Sequence, residues 1–282
     1  MKQRIQSILL ALMFLMGLGV LLYPTVSGWV NARLSVVEAD AYEANVGNLT
    51  DEQLAAEWQK ARAYNESLMG DPLHDPFVPG SGAALPGNYT ECLNVDGIMA
   101  YVEVPSIGVK LPIRHGTSEE VLADGVGHIE STALPTGGED LHPVITSHTG
   151  LPEARLFTDL EKLVEGDFFC LHVLDQQLWY QVDQITVIVP EELDQLRAVE
   201  GHDCVTLLTC TPYGVNSHRL LVRGERCDAP DQQPVAQPAL PWELAVAAGV
   251  GALLLLAGAA LVVRRRCSRR KHATRGGRDG QA

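Results

Sequence analysis

The chain has 282 residues, 46% of them hydrophobic, and carries 35 acidic against 21 basic side chains, for a formal net charge of −14. That length admits one or two domains. So acidic a chain repels a phosphate backbone, which excludes a nucleic-acid partner.

The apolar residues are unevenly spread. Ile8 to Tyr23 forms an uncharged run behind Lys2 and Arg4. It is short for a bilayer span unless the segment after Pro24, Thr25 to Val30, extends it. A cleaved signal peptide is the rival reading, with Thr25-Val26-Ser27 as small residues for a cleavage site. The run is long for a signal segment, which favours a retained anchor over residues 1–34.

Residues 35–70 read as two helices. Ser35 with Glu38 fits a capping box, and Gly47 is placed to end the helix it starts. Thr50 with Gln53 forms a second box, followed by Leu54, Trp58, Ala61 and Leu68 at helical spacing and then Gly70. Residues 71–90 are punctuated by Asp71-Pro72, Asp75-Pro76, Pro79-Gly80 and Pro86-Gly87, the composition of a loop.

From 91 to 228 the signals are short β-runs between turns: Ile98 to Val104, Val109 to Ile113, Val144 to Ser147, Phe168 to Val173, Leu178 to Val182, Gln184 to Val189, Val205 to Thr209 and Leu220 to Arg223. Eight short strands with few helices predict a mainly β domain closed into an eight-stranded barrel. Pro152 to Leu163 reads as one helix between strands. Residues 229–241 form a Pro- and Gln-containing linker.

Leu244 to Val263 is a second apolar run, 20 residues long and sufficient to cross a bilayer, within a segment at 242–263. Eight basic residues follow in the tail, 264–282. Positive charge stays on the cytoplasmic side, so both termini are expected in the cytoplasm, with two membrane passes and the middle of the chain outside the cell. That middle holds ten basic and 33 acidic residues.

The external part contains five cysteines, Cys92, Cys170, Cys204, Cys210 and Cys227, an odd number that leaves at least one free thiol if the rest pair. The run Val205 to Gly214 stands out. An apolar strand ends at Cys210, and Pro212 and Gly214 then turn the chain, which sets the thiol at a barrel rim within reach of a substrate. Arg219 opens the next apolar strand. If the two strands pair, it faces Cys210 across the loop, where a cation lowers a thiol pKa and stabilises an oxyanion. From spacing alone Arg219 is equally a solvated strand-end charge, and a buried inert cysteine is common. Eight external histidines compete for an acid–base role, and composition does not choose among them. His218 adjoins Arg219 but points to the opposite face of a strand. No His/Cys spacing makes a metal site.

Thr206-Leu207-Leu208-Thr209-Cys210 matches the sortase signature TLxTC, and TLLTCTPYGVNSHRLLVRG (206–224) resembles its class C, pilus-assembling form. HGTSEEVLADGVGHIEST (115–132) and LPEARLFTDLEKLVEGDFF (151–169) are similar to class C segments in the right order. ITSHTG (145–150) resembles the family's strand-plus-histidine element. The resemblance covers about residues 20 to 226. It implies Cys210 as nucleophile, His148 as acid–base and Arg219 as the third catalytic residue, with no cofactor or metal. The implied reaction is cleavage of an LPxTG-like motif between Thr and Gly, a thioacyl intermediate on Cys210, and transfer to a pilin lysine amine at the membrane of a Gram-positive cell. Asp75-Pro76-Phe77 resembles the class C lid triplet, so Asp75 is expected to pair with Arg219 and Phe77 to cover Cys210. The chain departs from the pattern with Ser147 and Thr149 around His148, where Gly and Arg are frequent. Its extra cysteines are expected to be buried or joined in one or two disulfides. The alternatives are a housekeeping sortase that anchors proteins to cell-wall peptide, and a non-enzymatic membrane receptor or scaffold in which Cys210 is structural.

Overall fold

A computed structural model describes residues 2–68, 77 and 87–231, together with the single positions 246, 249 and 251. Helix α1, Lys2–Val46, runs through Pro24 without ending. Among the described residues it alone is long and apolar enough to cross a membrane. The second apolar run, the linker and the basic tail lie almost wholly outside the described residues.

No helix starts at Ser35. Nothing in the preceding turn breaks the helix, so the Ser35 hydroxyl donates to the carbonyl of Asn31, one turn back, at 3.0 Å instead of capping an end. Gly47 does mark the end of α1, its N–H bonding to the Glu43 carbonyl. Helix α2, Asp51–Ser67, opens on the expected capping box between Thr50 and Gln53.

Eight strands follow. They are β1 (Ala100–Val104), β2 (Val109–His115), β3 (Val126–His128), β4 (Val144–Thr146), β5 (Phe168–Val173), β6 (Gln176–Ile188), β7 (Cys204–Thr211) and β8 (His218–Arg226). They close a barrel in the order β1-β2-β3-β4-β7-β8-β6-β5. Two expected strands, Leu178 to Val182 and Gln184 to Val189, are one strand, β6, with a register shift between Val182 and Gln184. Strand β3 has no counterpart among the expected runs. Its central Gly127 is forced by packing, because a Cβ there would come within 2.3 Å of the Gly116 carbonyl oxygen. The helix expected over Pro152 to Leu163 reduces to one 3-10 turn, Thr158–Lys162. Leu156 takes a left-handed φ of 42°, which an α-helix cannot accommodate.

Side chains alternate across the strands and make two cores. Val102, Ile113, Ile145, Leu207 and Val222 belong to the main one, inside the barrel. The residues between them on β4, β7 and β8 point outward. There Val144, Leu208 and Leu221 join Ile129, Ile188 and Leu196 in a second, smaller cluster.

The helices dock on the barrel through buried polar contacts as well as apolar ones. Tyr42 donates to the Met99 carbonyl and accepts from the Leu174 N–H. Trp58 donates to Asp175. Asn65 exchanges hydrogen bonds with the backbone of Leu134 in both directions. His128 is fully buried beside Tyr89, with ring nitrogens at 2.9 Å from Tyr89 Oη and 2.8 Å from the Ala133 carbonyl. These bonds give it a structural part.

Burial pushes the His128 imidazole down from 6.5 to about 4, and lowers His115 and His142 as well. As pH falls below 6.5 the unfolded chain takes up these protons while the folded chain does not. Stability present above pH 6.5 should therefore be lost between 6.5 and 4, roughly 3 kcal/mol of it through His128. Urea unfolding at pH 7 and pH 4.5 measures this loss. His128→Asn should lower overall stability and also flatten the slope by about one proton.

Candidate active site

The site is built on the outward face of β7 and its neighbours. Cys210 on β7 lies directly opposite Arg219 on β8. Directly opposed residues share a face, so the thiol and the guanidinium project together. Arg219 is in turn opposite Ile188 of β6. On the other flank β4 runs parallel to β7, with Val144 against Thr206 and Thr146 against Leu208. Continued by two residues, that register brings His148 level with Cys210. Ile188, Arg219, Cys210 and His148 therefore occupy one row across the outer face.

The row is largely buried. Cys210 is 7% and Arg219 4% exposed, and His148 is half-buried. The guanidinium donates to the carbonyls of Asn216 and His218, each at 3.2 Å. Those carbonyls belong to the turn after Pro212, which is closed by N–H bonds from Val215 and Asn216 to the Pro212 carbonyl. Asn216 takes a left-handed φ of 58°, which asparagine tolerates better than most residues. The Asn216 and His218 carbonyls thus orient Arg219.

His148 is fixed by the chain on both sides. Its carbonyl accepts from the Phe157 N–H at 3.2 Å. The Ser147 carbonyl accepts from Thr209 Oγ1 at 2.7 Å, a link from β7 to the histidine segment. The Ser147 hydroxyl donates to the Gly125 carbonyl at 2.5 Å, on the face away from the row. Serine in place of the family's glycine thus ties the end of β4 to the chain after helix α3, Glu119–Asp124. Thr149, in place of arginine, is buried. The Tyr213 ring lies over Gly150, where a Cβ would meet it at 3.3 Å, so the loops after His148 and after Cys210 touch. Burial lowers the His148 pKa below its usual 6.5, with Glu119 opposing the shift.

Phe77 lies over this row. Its ring centroid is 5.5 Å from that of His148 and 5.1 Å from the Arg219 guanidinium carbon. It also packs against the outer cluster. Asp75 and Pro76, the rest of the expected triplet, lie outside the described residues. None of Cys92, Cys170, Cys204, Cys210 and Cys227 is joined in a disulfide, so of the two states expected for the extra cysteines burial is the one found. Cys92, Cys170 and Cys204 are buried, and Cys227 is partly so. Cys204 shares β7 with Cys210 but stands opposite Glu225, and burial pushes its thiol up to about 11. Among the described residues no cluster of His, Cys, Asp or Glu could hold a metal.

Residues 102–227 match the sortase domain. Sortase C-1 from Actinomyces oris is 48% identical to this chain, with a TM-score of 0.61 over 63% of this chain and 99% of that one. The chain belongs to the sortase family. It falls in the class C branch, since sortase C-1 from Streptococcus pneumoniae is also similar, 44% identical with a TM-score of 0.65 over 68% of this chain and 99% of the other. The similarity to sortase A of Bacillus anthracis is more distant, 24% identity over 79% of this chain and 95% of that protein. The activity of this sortase is cysteine transpeptidation.

The sequence signals for Cys210 and Arg219 are a strand end and a turn that returns the chain nine residues on, and the register bears out their opposition. His148 was singled out by resemblance alone. The β4–β7 register leads its segment toward Cys210, and a single sequence does not display a parallel pairing.

The contact of Phe77 with Arg219 has a cation–π character of about 1–2 kcal/mol when desolvated. Phe77→Ala should therefore increase Cys210 alkylation by a bulky reagent roughly tenfold, located by mass mapping among the other thiols. Less burial favours the imidazolium, so the His148 titration should also move up toward 6.5. Unaltered labelling and titration would mean that the ring does not restrict the row.

Proposed function

We propose that this sortase assembles pili. Cys210 thiolate attacks the carbonyl of Thr in an LPxTG-like motif of a secreted pilin. The Thr–Gly bond breaks as His148 gives a proton to the leaving glycine amine. A thioester on Cys210 holds the acyl group. A lysine ε-amine of another pilin attacks that thioester, His148 removes a proton from the attacking nitrogen, and the thiolate departs with an isopeptide bond formed. Dividing the exchange into two acyl transfers retains the peptide-bond energy in the thioester, so no cofactor is required. Arg219 holds the motif's backbone carbonyls and the oxyanion of each tetrahedral intermediate.

The observation that carries this reading is the row of His148, Cys210 and Arg219 along one face, under Phe77. The similarity to pilus-related sortase C of group B Streptococcus, 43% identical with a TM-score of 0.63, supports the choice of pilin as substrate. We assign a lid role to Asp75, Pro76 and Phe77, with the Asp75 carboxylate directed to Arg219. The enzyme is placed in the cell membrane with two passes, the catalytic unit outside and both basic termini inside, on the strength of the charge distribution.

Cys210→Ala should abolish formation of covalent pilin ladders by a cognate pilin, whereas Cys204→Ala should retain it. Singly anchored proteins without ladders would instead make the enzyme a housekeeping sortase. An inactive, folded Cys204→Ala beside an active Cys210→Ala would overturn the assignment. Arg219→Lys should lose nearly as much turnover as Arg219→Ala, because a lysine supplies a point charge and not a fork of fixed donors. Single-turnover acylation with a sorting-motif peptide measures it, and near-normal rates in the lysine variant would reduce Arg219 to an electrostatic helper.

A further inference from the structure

The turn of α1 at residues 27–31 lies against the loop that follows His148. Ser27 Oγ and Asn31 Nδ2 both donate to the carbonyl of Glu153, at 3.0 and 2.8 Å. Ser27 and Asn31 are four residues apart and therefore share a helix face. Gly28 beside them is buried. A Cβ there would meet Arg155 Cγ at 3.9 Å and the Glu153 carbonyl oxygen at 4.0 Å, ordinary contact distances, so a methyl fits between helix and loop but a longer side chain would press on the loop.

The same loop is tied to the row at its other end. The Phe157 N–H donates to the His148 carbonyl, and the Gly150 N–H donates to Thr158 Oγ1 at 3.1 Å. Phe157 is fully buried, and Arg155 pairs with Asp159. Gly150 and Leu156 both take left-handed φ values, 77° and 42°. A loop with such a backbone holds its shape only where contacts over-determine it. Between Leu151 and Leu156 the helix supplies two donors to one carbonyl, using both of its lone pairs.

We propose that Ser27 and Asn31 are positioning residues for His148. By holding Glu153 they fix the loop 151–157, and through the Phe157–His148 hydrogen bond they fix the backbone that carries the imidazole. The helix that leads in from the apolar segment thus completes the active site. This rests on His148 acting as the acid and base of the transfer. Ser27 and Asn31 touch no substrate, so their effect appears in how His148 performs.

The test uses the full chain in detergent micelles with a fluorogenic sorting-motif peptide. A paired Ser27→Ala, Asn31→Asp variant removes both donors and sets a carboxylate against the carbonyl. Its kcat should fall roughly tenfold, the scale of a small misplacement of a catalytic group, with KM almost unchanged. The pH limb assigned to His148 should move with it. Gly28→Leu, which wedges helix and loop apart, should give the same kcat loss and the same displaced limb. Asn31→Gln keeps an amide donor and should recover part of the loss. Val30→Ala, on the exposed face of the same turn, should behave as wild type.

Wild-type kcat and pH limb in the paired variant, with His148→Ala inactive, would overturn the inference and leave the reading of His148 intact. A kcat loss accompanied by a lowered thermal midpoint and an unmoved limb would also overturn it, as a stability effect. An active His148→Ala would instead overturn the reading on which the inference stands.

Discussion

The site depends on β7 having two unlike neighbours. Antiparallel pairing with β8 sets Cys210 opposite Arg219, and parallel pairing with β4 brings the histidine segment level with the thiol. Because side chains alternate along a strand, a slip of one residue on either side would turn a member of the row into the barrel. Both registers are pinned by hydrophobic burial: Leu207 against Ile145 and Val222 faces the main core, while Leu208 against Leu221 faces the outer one. The packing that stabilises the barrel is thus also what fixes the relative places of the thiol, the guanidinium and the imidazole.

The two cores divide the labour between stability and access. The interior cluster is continuous with the helices through Tyr42, Trp58 and Tyr64. The outer cluster is small, and Phe77 supplies part of its cover from a segment outside the barrel. A ring that packs on side chains without joining the sheet can leave without breaking a ladder hydrogen bond. The buried state of Cys210 and Arg219 is therefore compatible with substrate entry, provided that the cover moves and the strands do not.

Local chemistry made much of this legible. The capping box at Thr50, the strand ending at Cys210, the loop to Arg219 and the apolar N-terminal segment all follow from residues within a turn or two of one another. What did not follow depends on distant partners. Strand β3 is three residues around Gly127 and owes its existence to β2 and β4 on either side, so its own composition carries little β signal. The helix expected over Pro152 to Leu163 has suitable apolar spacing, but hydrogen bonds from Phe157 to His148 and from Gly150 to Thr158 hold the segment in a different path. The box at Ser35 failed because a capping pattern does not exclude a helix already in progress. The contact of Asn31 with Glu153 joins positions 122 apart, and no pattern in one sequence signals it.

The topology has a consequence for the chain's own synthesis. The N-terminal part of a chain is made first, and β8 is the last strand of the barrel to follow. It pairs with β6 on one side and β7 on the other, so the cylinder stays open along a seam until His218–Arg226 has emerged. Until then the thiol at 210 has neither its cation nor a closed wall behind it. The enzyme matures only when the last nine residues of its sheet arrive, and a nascent chain stalled before that point is a catalyst in parts.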